Sequence, residues 1–399
     1  MKYLAIGEMC ELLNGFAFKS NEYVSEGIRV IRIANVQKGY IEDSSPCFYP
    51  EDQRYAFEKF MLRKNDLLVS LTGNVGRVGL LPEGMMPAAL NQRVACLRIK
   101  DKYEIDKKYL FHLLNSNYFE NACIESSNGA AQKNLSTNWL KKFCVPVPTS
   151  DEQKDIARIF DSIIELIYLN KNHLEKLDEL VKSRFIEMFG DPEAPDFPYM
   201  MVELGDVLRK PASNGFFAKR KDYVEDGNVE ILGVANVVNR MYSGIDNLPK
   251  TNGTSADIEK YSLSYGDMLF CRSSLVLEGI GKASIVPREV RPNTLFECHV
   301  IRMPLDISVC VPEFMQLQST LPAFRKQVMT KAKTATMTTI DQKSLLSIKV
   351  FLPPIEEQKY FLSFIEQVDK LKFETQQSIE KLQMLYDSLA QEYFAPEGD

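Results

Sequence analysis

Two long stretches of the chain carry a repeating apolar pattern that decides its fold. Residues 153–189 read QKDIARIFDSIIELIYLNKNHLEKLDELVKSRFIEMF, and residues 358–394 read QKYFLSFIEQVDKLKFETQQSIEKLQMLYDSLAQEYF. Neither stretch contains Gly or Pro, and in both of them the apolar residues recur at alternating spacings of three and four. This is the heptad pattern of a helix that buries one stripe against a partner helix. At ~1.5 Å per residue, each stretch predicts a helix about 55 Å long.

The two patterns are in phase when the sequence is aligned on itself at an offset of 205 residues. Either helix alone could pack on its own domain, but two matching helices most simply bury their seams against each other. An antiparallel pair would place the polar middles of the seams opposite each other, where they help to set the register. It would also place the two flanking domains at opposite ends of the pair. The predicted seam residues are Phe160, Ile163, Ile167, Asn170, Leu174, Leu177, Val181, Ile365, Val368, Lys372, Thr375, Ile379, Leu382 and Tyr386.

The sequence before each helix is also repeated. The stretch Gly15–Lys19 returns as Gly215–Lys219, and Ala34–Val36 returns as Ala235–Val237. The offset grows from 200 to 205 along the chain, so the second copy contains a few inserted residues. In each copy, short alternating apolar runs with Gly and Asn between them indicate strands and loops.

One helical patch, Lys107–Glu120, interrupts the strands of the first copy. Pro146 and Pro148 then precede the first long helix, which Ser150 or Asp151 could cap. We therefore predict an α+β fold, in which two similar mixed α/β domains are separated by two long helices forming an antiparallel coiled coil. The predicted boundaries are a domain at 1–150, a helix at 151–190, a linker and second domain at 191–352, and a helix at 353–399.

The charge of the chain is unevenly distributed. The formal net charge is −6, and taken alone it argues against binding to nucleic acid. Residues 1–150 and 202–352, however, each carry 19 Lys and Arg against 16 Asp and Glu, whereas 151–201 and 353–399 are each net −6. The acidity belongs to the helices, and each mixed domain is mildly basic, which permits a face that contacts phosphates.

Signals for export and for catalysis are missing from the sequence. No apolar stretch approaches the ~20 residues needed to cross a bilayer, and the eight cysteines are widely spaced. These features predict a cytoplasmic protein with reduced thiols. The three histidines are too dispersed for a metal cluster, and they are expected to be surface or packing residues. The glycines of Gly73–Gly79 and Gly279–Ala283 lack the Gly-Lys-Ser/Thr ending of a phosphate-binding loop. We therefore expect no catalytic or metal site and no cofactor in this chain.

The glycine-rich turns are better candidates for contact with DNA. Glycine lets backbone amides approach phosphate, and it leaves room for Arg77 or Lys282. An ordinary hairpin turn is the alternative. Polar clusters elsewhere contain the side chains that read base edges. The candidate DNA-binding residues are Lys19, Thr72, Asn74, Arg77, Asn91, Gln92, Arg93, Asn128, Gln132, Lys133, Lys219, Arg220, Arg272, Ser273, Lys282, Lys331, Lys333 and Thr336.

Several of these motifs together resemble one protein family. The chain is similar to the DNA-specificity subunit of type I restriction-modification systems along essentially its whole length. The second domain departs from the resemblance at Glu297-Cys298-His299, where the first domain has Asn91-Gln92. The motifs that carry the likeness are Gly15–Lys19, Gly76–Gly79, Asn91-Gln92, Leu135–Pro148, Glu152–Ile156, Lys182–Pro192 and Pro353–Gln358.

The resemblance implies a non-catalytic subunit of a DNA adenine methyltransferase and restriction complex. In that reading, residues 1–150 and the domain at 191–352 are target-recognition domains, each of which reads one half of a bipartite, asymmetric site in double-stranded DNA. The helices would set the gap and bind two copies of a methyltransferase subunit, and restriction or translocase subunits could join them. S-adenosylmethionine would be bound by the methyltransferase. Two other hypotheses remain at this point: a coiled-coil scaffold whose globular ends bind proteins, and an endonuclease or methyltransferase acting alone.

Overall fold

A computed structural model of the chain describes residues 2–127 and 133–395. The chain divides into two compact units, Met1–His173 with Thr375–Asp399, and Leu174–Glu374. Both divisions between the units fall inside a long helix. Each unit therefore contains one mixed domain together with part of each long helix.

The first unit contains eleven strands and five short helices in its described residues, and most of a long helix follows them. The strands are β1 Lys2–Ala5, β2 Cys10–Asn14, β3 Ile28–Ile31, β4 Val36–Gln37, β5 Tyr40–Ile41, β6 Phe48–Tyr49, β7 Leu67–Ser70, β8 Val78–Leu80, β9 Ala88–Leu90, β10 Val94–Ile99 and β11 Cys144–Val147. The helices are α1 Ile6–Met9, α2 Arg54–Phe57, α3 Lys107–Leu114, α4 Asn117–Ser126, α5 Thr137–Lys142 and the long α6 Ser150–Phe189.

The second unit repeats this order with local differences. Its strands are β12 Met201–Glu203, β13 Ser213–Asn214, β14 Val229–Leu232, β15 Lys250–Thr251, β16 Asp267–Cys271, β17 Ser273–Ser274, β18 Ala283–Ile285, β19 Thr294–Phe296, β20 Val300–Pro304, β21 Lys333–Thr334, β22 Thr338–Thr339 and β23 Lys349–Phe351. Its helices are α7 Ser255–Tyr261, α8 Pro312–Gln318, α9 Pro322–Lys331, α10 Gln342–Leu346 and the long α11 Ile355–Phe394.

The two mixed domains share three sheets with the same strand order, whereas the pair β4-β5 occurs in the first domain and the sheet β17-β22-β21 in the second. The four-stranded sheet β2-β10-β7-β8 corresponds to β13-β20-β16-β18, and both sheets are antiparallel throughout. A three-stranded sheet in each domain contains one parallel pair, β3 with β9 and β14 with β19. The first strand of each domain pairs with its last, β1 with β11 and β12 with β23. The repeat in sequence is therefore a repeat of one fold.

The helical patch predicted at Lys107–Glu120 is divided into two helices. Helix α3 ends at Leu114, and α4 begins at Asn117, where the Ser116 hydroxyl accepts a hydrogen bond from the Phe119 amide at 3.3 Å. A serine at this position satisfies an amide that the new helix leaves without a partner, so it starts a second helix rather than continuing the first. The Trp139 ring is half-buried against the core of this unit, with its centroid 5.0 Å from that of Phe143.

The long helices begin at Ser150 and Ile355, three residues before the apolar stretches at 153 and 358 and close to the predicted boundaries of 151 and 353. Ser150 and Asp151 do not cap α6 as expected, because Thr149 takes that role. The Thr149 hydroxyl and amide each donate to the Glu152 carboxylate at 2.8 Å, and the Glu152 amide lies 3.4 Å from the same hydroxyl. This reciprocal arrangement is a capping box. The C-terminal end of α6 is followed by Gly190 at φ 82°, whose amide donates to the Ile186 carbonyl at 2.8 Å.

In the first unit, the N-terminal part of α6 packs against the C-terminal part of α11. Phe160 lies with its ring centroid 4.8 Å from that of Tyr386 and 5.2 Å from that of Phe394, and all three side chains are buried. Ile163 belongs to the same cluster, and Ile167 and Leu382 pack against it half-buried. The pairing is antiparallel in this unit.

In the second unit, the other halves of the helices pair in the same way. Leu177, Val181, Ile365 and Val368 form one buried cluster that also contains several phenylalanines. Here the Lys372 ammonium bonds across the helix pair to the Asp178 carboxylate at 2.6 Å.

The remaining predicted seam residues lie near the middle of the helices. Asn170, Leu174 and Ile379 are half-buried and Thr375 is buried. The Asn170 amide donates at 2.8 Å to the Leu166 carbonyl of its own helix. This bond of Asn170 is made within α6, whereas Lys372 makes a polar contact across the helix pair.

One buried glutamine connects each mixed domain to its long helix. The Gln153 amide group donates to the carbonyls of Pro148 and Glu104 at 2.9 and 3.2 Å, and it accepts from the Asp106 amide at 2.8 Å. Gln358 makes the equivalent three bonds, to Pro353, Val309 and Val311, at 2.8, 3.1 and 2.8 Å. Both side chains are almost completely buried. The glutamine of the repeated Glu-Gln motif thus fixes a domain loop to the first turn of the helix.

Candidate nucleic-acid interface

The hairpin between β7 and β8 carries several of the candidate DNA-binding residues. Thr72, Asn74 and Arg77 line one depression of about 200 Å³, together with Arg93. Arg93 follows β9, so residues separate in sequence meet at one surface. Asn74 and Arg93 are exposed, and Thr72 and Arg77 are half-exposed. This is the largest group of predicted residues that the first unit brings together.

A glycine fixes the shape of this hairpin. Gly76 has φ 80°, and a Cβ atom at this position would lie 2.8 Å from the Cβ of Cys123 on α4. Only glycine combines this backbone conformation with so close an approach. The backbone therefore forms a hairpin turn. The same turn holds Asn74 and Arg77 at the edge of the depression.

Hydrogen bonds orient the side chains around the depression. The Arg77 guanidinium donates to the Gln37 amide oxygen at 2.5 Å, and Gln37 lines the same depression. The Asn91 amide oxygen accepts from the Arg93 backbone amide at 3.2 Å. Arginine offers donors in a planar fork that suits phosphate oxygens and the acceptor edge of guanine. The arrangement can therefore bind acceptor groups on DNA.

The second unit has the same framework with different side chains. The Leu71 amide donates to the Arg93 carbonyl at 3.0 Å, and the Arg272 amide donates to the His299 carbonyl at 2.9 Å. Thr72 forms a bridge with Asn134, and Ser273 pairs with Thr339. His299 thus occupies the position of Arg93, and Ser273 occupies that of Thr72.

Serine and histidine interact directly at this second surface. The Ser273 hydroxyl lies 2.9 Å from His299 Nδ1, and the histidine is exposed. Because Nδ1 is engaged, the other ring nitrogen, Nε2, remains to contact a ligand. An imidazole can donate or accept a hydrogen bond, whereas arginine only donates. The two surfaces therefore differ in the chemistry that they can recognise.

Lys282 of the second unit matches Arg77 of the first. Each residue comes immediately before the strand that closes the hairpin, and each bonds to a neighbouring amide oxygen, which for Lys282 is that of Asn239 at 2.5 Å. The Arg272 guanidinium lies 3.4 Å from the Cys298 carbonyl. Lys333 and Thr336 are exposed in and beside the strand β21, while the Lys331 ammonium bonds to the Ser347 hydroxyl at 2.9 Å.

The other candidate residues are more scattered. The Lys19 ammonium forms an ion pair with Glu22 at 3.0 Å, and Lys219 is exposed at the matching position of the second domain. Gln92 and Lys133 are exposed, and the Lys133 carbonyl accepts from the Gly73 amide at 2.9 Å. Asn128, Gln132 and the side chain of Arg220 lie outside the described residues.

Sequence reasoning missed the residues that complete these surfaces. His299 was expected to be a surface or packing residue, and Gln37 and Asn239 were not singled out. Ser273 was among the predicted candidates, and the sequence had already placed Glu297-Cys298-His299 against Asn91-Gln92, which corresponds to an offset of 206. The backbone hydrogen bonds of Leu71 and Arg272 show that His299 occupies the position of Arg93. Another of the histidines, His112, is a packing residue: it is fully buried and stacks on Phe160 at 5.3 Å.

Residues 2–127 and 133–395 contain neither a cluster of metal-binding side chains nor a helix that could span a membrane. No group of three or more His, Cys, Asp and Glu side chains there could hold a metal ion. None of the helices in this part of the chain has the length and apolar character needed to span a bilayer.

Comparison with known proteins identifies the family. The model of the type I restriction modification DNA specificity domain matches residues 1–179 and again 198–384. The chain belongs to this family. The prediction of a type I specificity subunit is thereby confirmed, and the alternative of a protein-binding scaffold finds no support among these relatives.

Individual relatives of the family match most of the chain. It is 25% identical to the specificity subunit of the type I restriction enzyme EcoBI from Escherichia coli, over 95% of this chain and 80% of that one. It is 20% identical to the EcoKI specificity subunit of E. coli K12, over 91% of this chain and 81% of that one.

Solved structures agree on the fold. A chain from a study of complex assembly and conformational transition in the type I R-M system aligns with a TM-score of 0.62 at 16% identity, covering 98% of this chain and 97% of that one. The S subunit of the type I restriction-modification system from M. genitalium aligns with a TM-score of 0.51 at 16% identity, covering 100% of this chain and 96% of that one. The predicted fold of two α+β domains and an antiparallel coiled coil is confirmed.

Proposed function

We propose that each mixed domain reads one half of a bipartite, asymmetric DNA site through the surface around its β-hairpin. The observation that carries the proposal is the matched framework at Thr72, Arg93, Ser273 and His299. The same backbone presents Thr and Arg in one unit and Ser and His in the other. Two domains that share one backbone framework but present different side chains would recognise two different half-sites.

The chemistry of the first surface suits direct readout. Arg77 and Arg93 can each contact guanine or phosphate oxygens, and Asn74 has the amide that pairs with adenine. The mild positive charge of each domain would add the phosphate contacts that give affinity without sequence preference. Together these terms support sequence-specific binding to double-stranded DNA without any chemistry by this chain. Methyl transfer and S-adenosylmethionine would belong to a methyltransferase partner.

We infer further that the helices bind two copies of that partner. Exposed apolar side chains recur on the long helices at repeat-equivalent positions. In the first unit Leu166, Tyr168 and Leu385 are 47%, 62% and 47% exposed, and in the second unit their equivalents Leu371, Phe373 and Leu180 are 47%, 63% and 47% exposed. Large apolar residues left exposed in this way are typical of binding sites. The same set of residues in both units is what two copies of one partner would require.

The spacer role follows from the same helices. A helix of about 55 Å is longer than one turn of B-DNA, which is about 34 Å. Two recognition domains held by such helices would read half-sites separated by a gap of fixed length. Restriction or translocase subunits could join this complex, and the cytoplasmic location predicted from the sequence suits a protein that acts on chromosomal DNA.

The test is to co-express the chain with its modification subunit and to map methylated adenines by sequencing. The proposal expects one gapped, two-part motif, and Arg93→Ala should relax base preference in one part only. Methylation without such a motif would contradict it. The scaffold alternative is tested separately by the salt dependence of DNA binding, because neutralising phosphates gives a log-log slope of about −0.9 for each phosphate contacted. A slope near zero would favour the scaffold.

A further inference from the structure

The hairpin of the second unit carries an insertion that the first unit lacks. Four residues separate Thr72 from Arg77, whereas eight separate Ser273 from Lys282. The strands that flank the two turns are paired in the same way, because Val69 pairs with Val78 in the first unit and Phe270 pairs with Ala283 in the second. The extra residues therefore all lie in the turn, next to the proposed reading surface.

The longer turn contains three consecutive exposed apolar residues, here called the apolar loop: Leu275, Val276 and Leu277. Their side chains are 83%, 57% and 39% exposed. Leu275 is among the most exposed large apolar side chains of the described residues. In the first unit the same turn presents Gly73 and Asn74, and its one apolar residue, Val75, is buried. A run of exposed apolar residues is costly to solubility unless it has a binding role.

The base of the apolar loop is held firmly. Arg325, on α9, donates to the carbonyls of Glu278 and Ile280 at 3.1 and 2.7 Å. Gly281, at φ 60°, packs against the same helix so closely that a Cβ atom would lie 2.6 Å from Val328 Cγ1. The Val276 amide donates to the Ser274 hydroxyl at 3.2 Å at the neck of the loop. Apolar side chains are thus presented on a fixed support.

The surroundings of the loop favour DNA as its ligand. Ser273, bonded to His299, precedes the loop, and Lys282 follows it. Ser273 also pairs with Thr339, which pairs in turn with the exposed Lys333. Glu278 is the single carboxylate within the insertion. Cationic and hydrogen-bonding side chains therefore flank the apolar loop on both sides.

We propose that the apolar loop inserts into the DNA of the half-site read by the second domain and contacts the apolar surface of its bases. Leucine and similar side chains contact the thymine methyl group or enter an opened base step. Both contacts bury apolar surface that is otherwise exposed to water, and neither requires a hydrogen bond. The inference rests on the proposed function, since it assigns to the second domain a contact that the first domain lacks.

The test measures binding of a fluorescent duplex that contains the methylated motif, by the complex of the full chain with its modification subunit. Leu275→Ser should weaken binding about tenfold, or about 1.4 kcal/mol, while Leu275→Met, which keeps the apolar bulk, should stay within about twofold. Ile307→Ser is the matched control, because Ile307 is also exposed, at 51%, elsewhere in the second unit. It should leave the affinity unchanged.

Two modified duplexes identify the contact. Deoxyuridine in place of thymidine should remove the difference between wild type and Leu275→Ser if the loop touches a methyl group. A rise in 2-aminopurine fluorescence, lost in Leu275→Ser, indicates an opened base step. Either result supports the inference.

The inference is overturned if Leu275→Ser binds the motif as tightly as the wild type does. It is also overturned if Leu275→Ser co-purifies with less modification subunit than the wild type does, while the complexes that do assemble bind DNA normally. In that case the loop would contact protein and not DNA. If the wild-type complex itself showed no preference for a two-part DNA motif, the proposed function would be wrong, and not only this inference.

Discussion

Replacing Gln153 with alanine should destabilise the first unit by about 3 kcal/mol. The side chain is 1% exposed, and its amide group makes three hydrogen bonds to the backbone at Glu104, Asp106 and Pro148. Each such bond contributes about 1 kcal/mol net, and its loss leaves a buried backbone group without a partner. Alanine restores none of the three bonds, so their contributions add.

The single tryptophan of the chain makes this measurement local. Trp139 packs against the core of the first unit, so its fluorescence reports the unfolding of that unit. In urea, a loss of about 3 kcal/mol should lower the midpoint by about 1 M or more, given slopes of about 1–3 kcal/mol per M. Lys154→Ala is the control, because Lys154 is the next residue and is exposed. It should change stability by less than about 0.5 kcal/mol.

The reasoning would be refuted if Gln153→Ala shifted the transition no more than Lys154→Ala does. That result would mean that the loop at Glu104–Asp106 is held to the helix by apolar packing alone. Partial loss, near 1 kcal/mol, would mean that water replaces two of the three bonds.

Three further predictions concern other parts of the molecule. Arg77→Ala should weaken DNA binding by about 1–3 kcal/mol and relax base preference in one half-site; equal relaxation in both halves would contradict the placement of this residue. Burial lowers the pKa of His112 below its ordinary value, so the unfolded chain binds the proton more tightly and stability should fall as the pH drops below about 6.5. His112→Gln should flatten this dependence in unfolding experiments between pH 7.5 and 5.5, and an unchanged slope would assign it to other groups. Phe361→Ala removes a fully buried ring 5.4 Å from that of Phe185 and should cost about 3–5 kcal/mol in chemical unfolding. Tyr360→Ala, at an exposed neighbour, should cost little, and similar losses for both would argue against this packing.

The architecture could largely be predicted from the sequence, because the chain contains two copies of the same pattern. Heptad spacing identified both long helices, and a shared offset established that their patterns match. The start of α6 lies within one residue of the predicted boundary at 151, but its cap was not recognised, because the capping box at Thr149 and Glu152 lies outside the apolar pattern. The break between α3 and α4 was missed for a similar reason, since a single cap at Ser116 divides an otherwise continuous helical composition.

The candidate site was only partly predictable. Residue type and glycine spacing singled out Thr72, Asn74, Arg77 and Arg93, which meet at one depression. The sequence placed Glu297-Cys298-His299 against Asn91-Gln92, but it did not single out His299 as a candidate, because an isolated histidine is most often a surface or packing residue. The hydrogen bond between Ser273 and His299 is a property of the three-dimensional structure, and it shows that the histidine belongs to this surface.

The composition of the first unit has a consequence for how the protein is made. Its core includes Tyr386, Ala390 and Phe394, which pack with Tyr109 and Phe160 from the other end of the sequence. The second unit is contained within Leu174–Glu374. On the ribosome, the second unit therefore has its whole sequence available before the first unit does. The domain that is synthesised first must wait, with part of its apolar core uncovered, until the segment from Tyr386 to Phe394 has emerged.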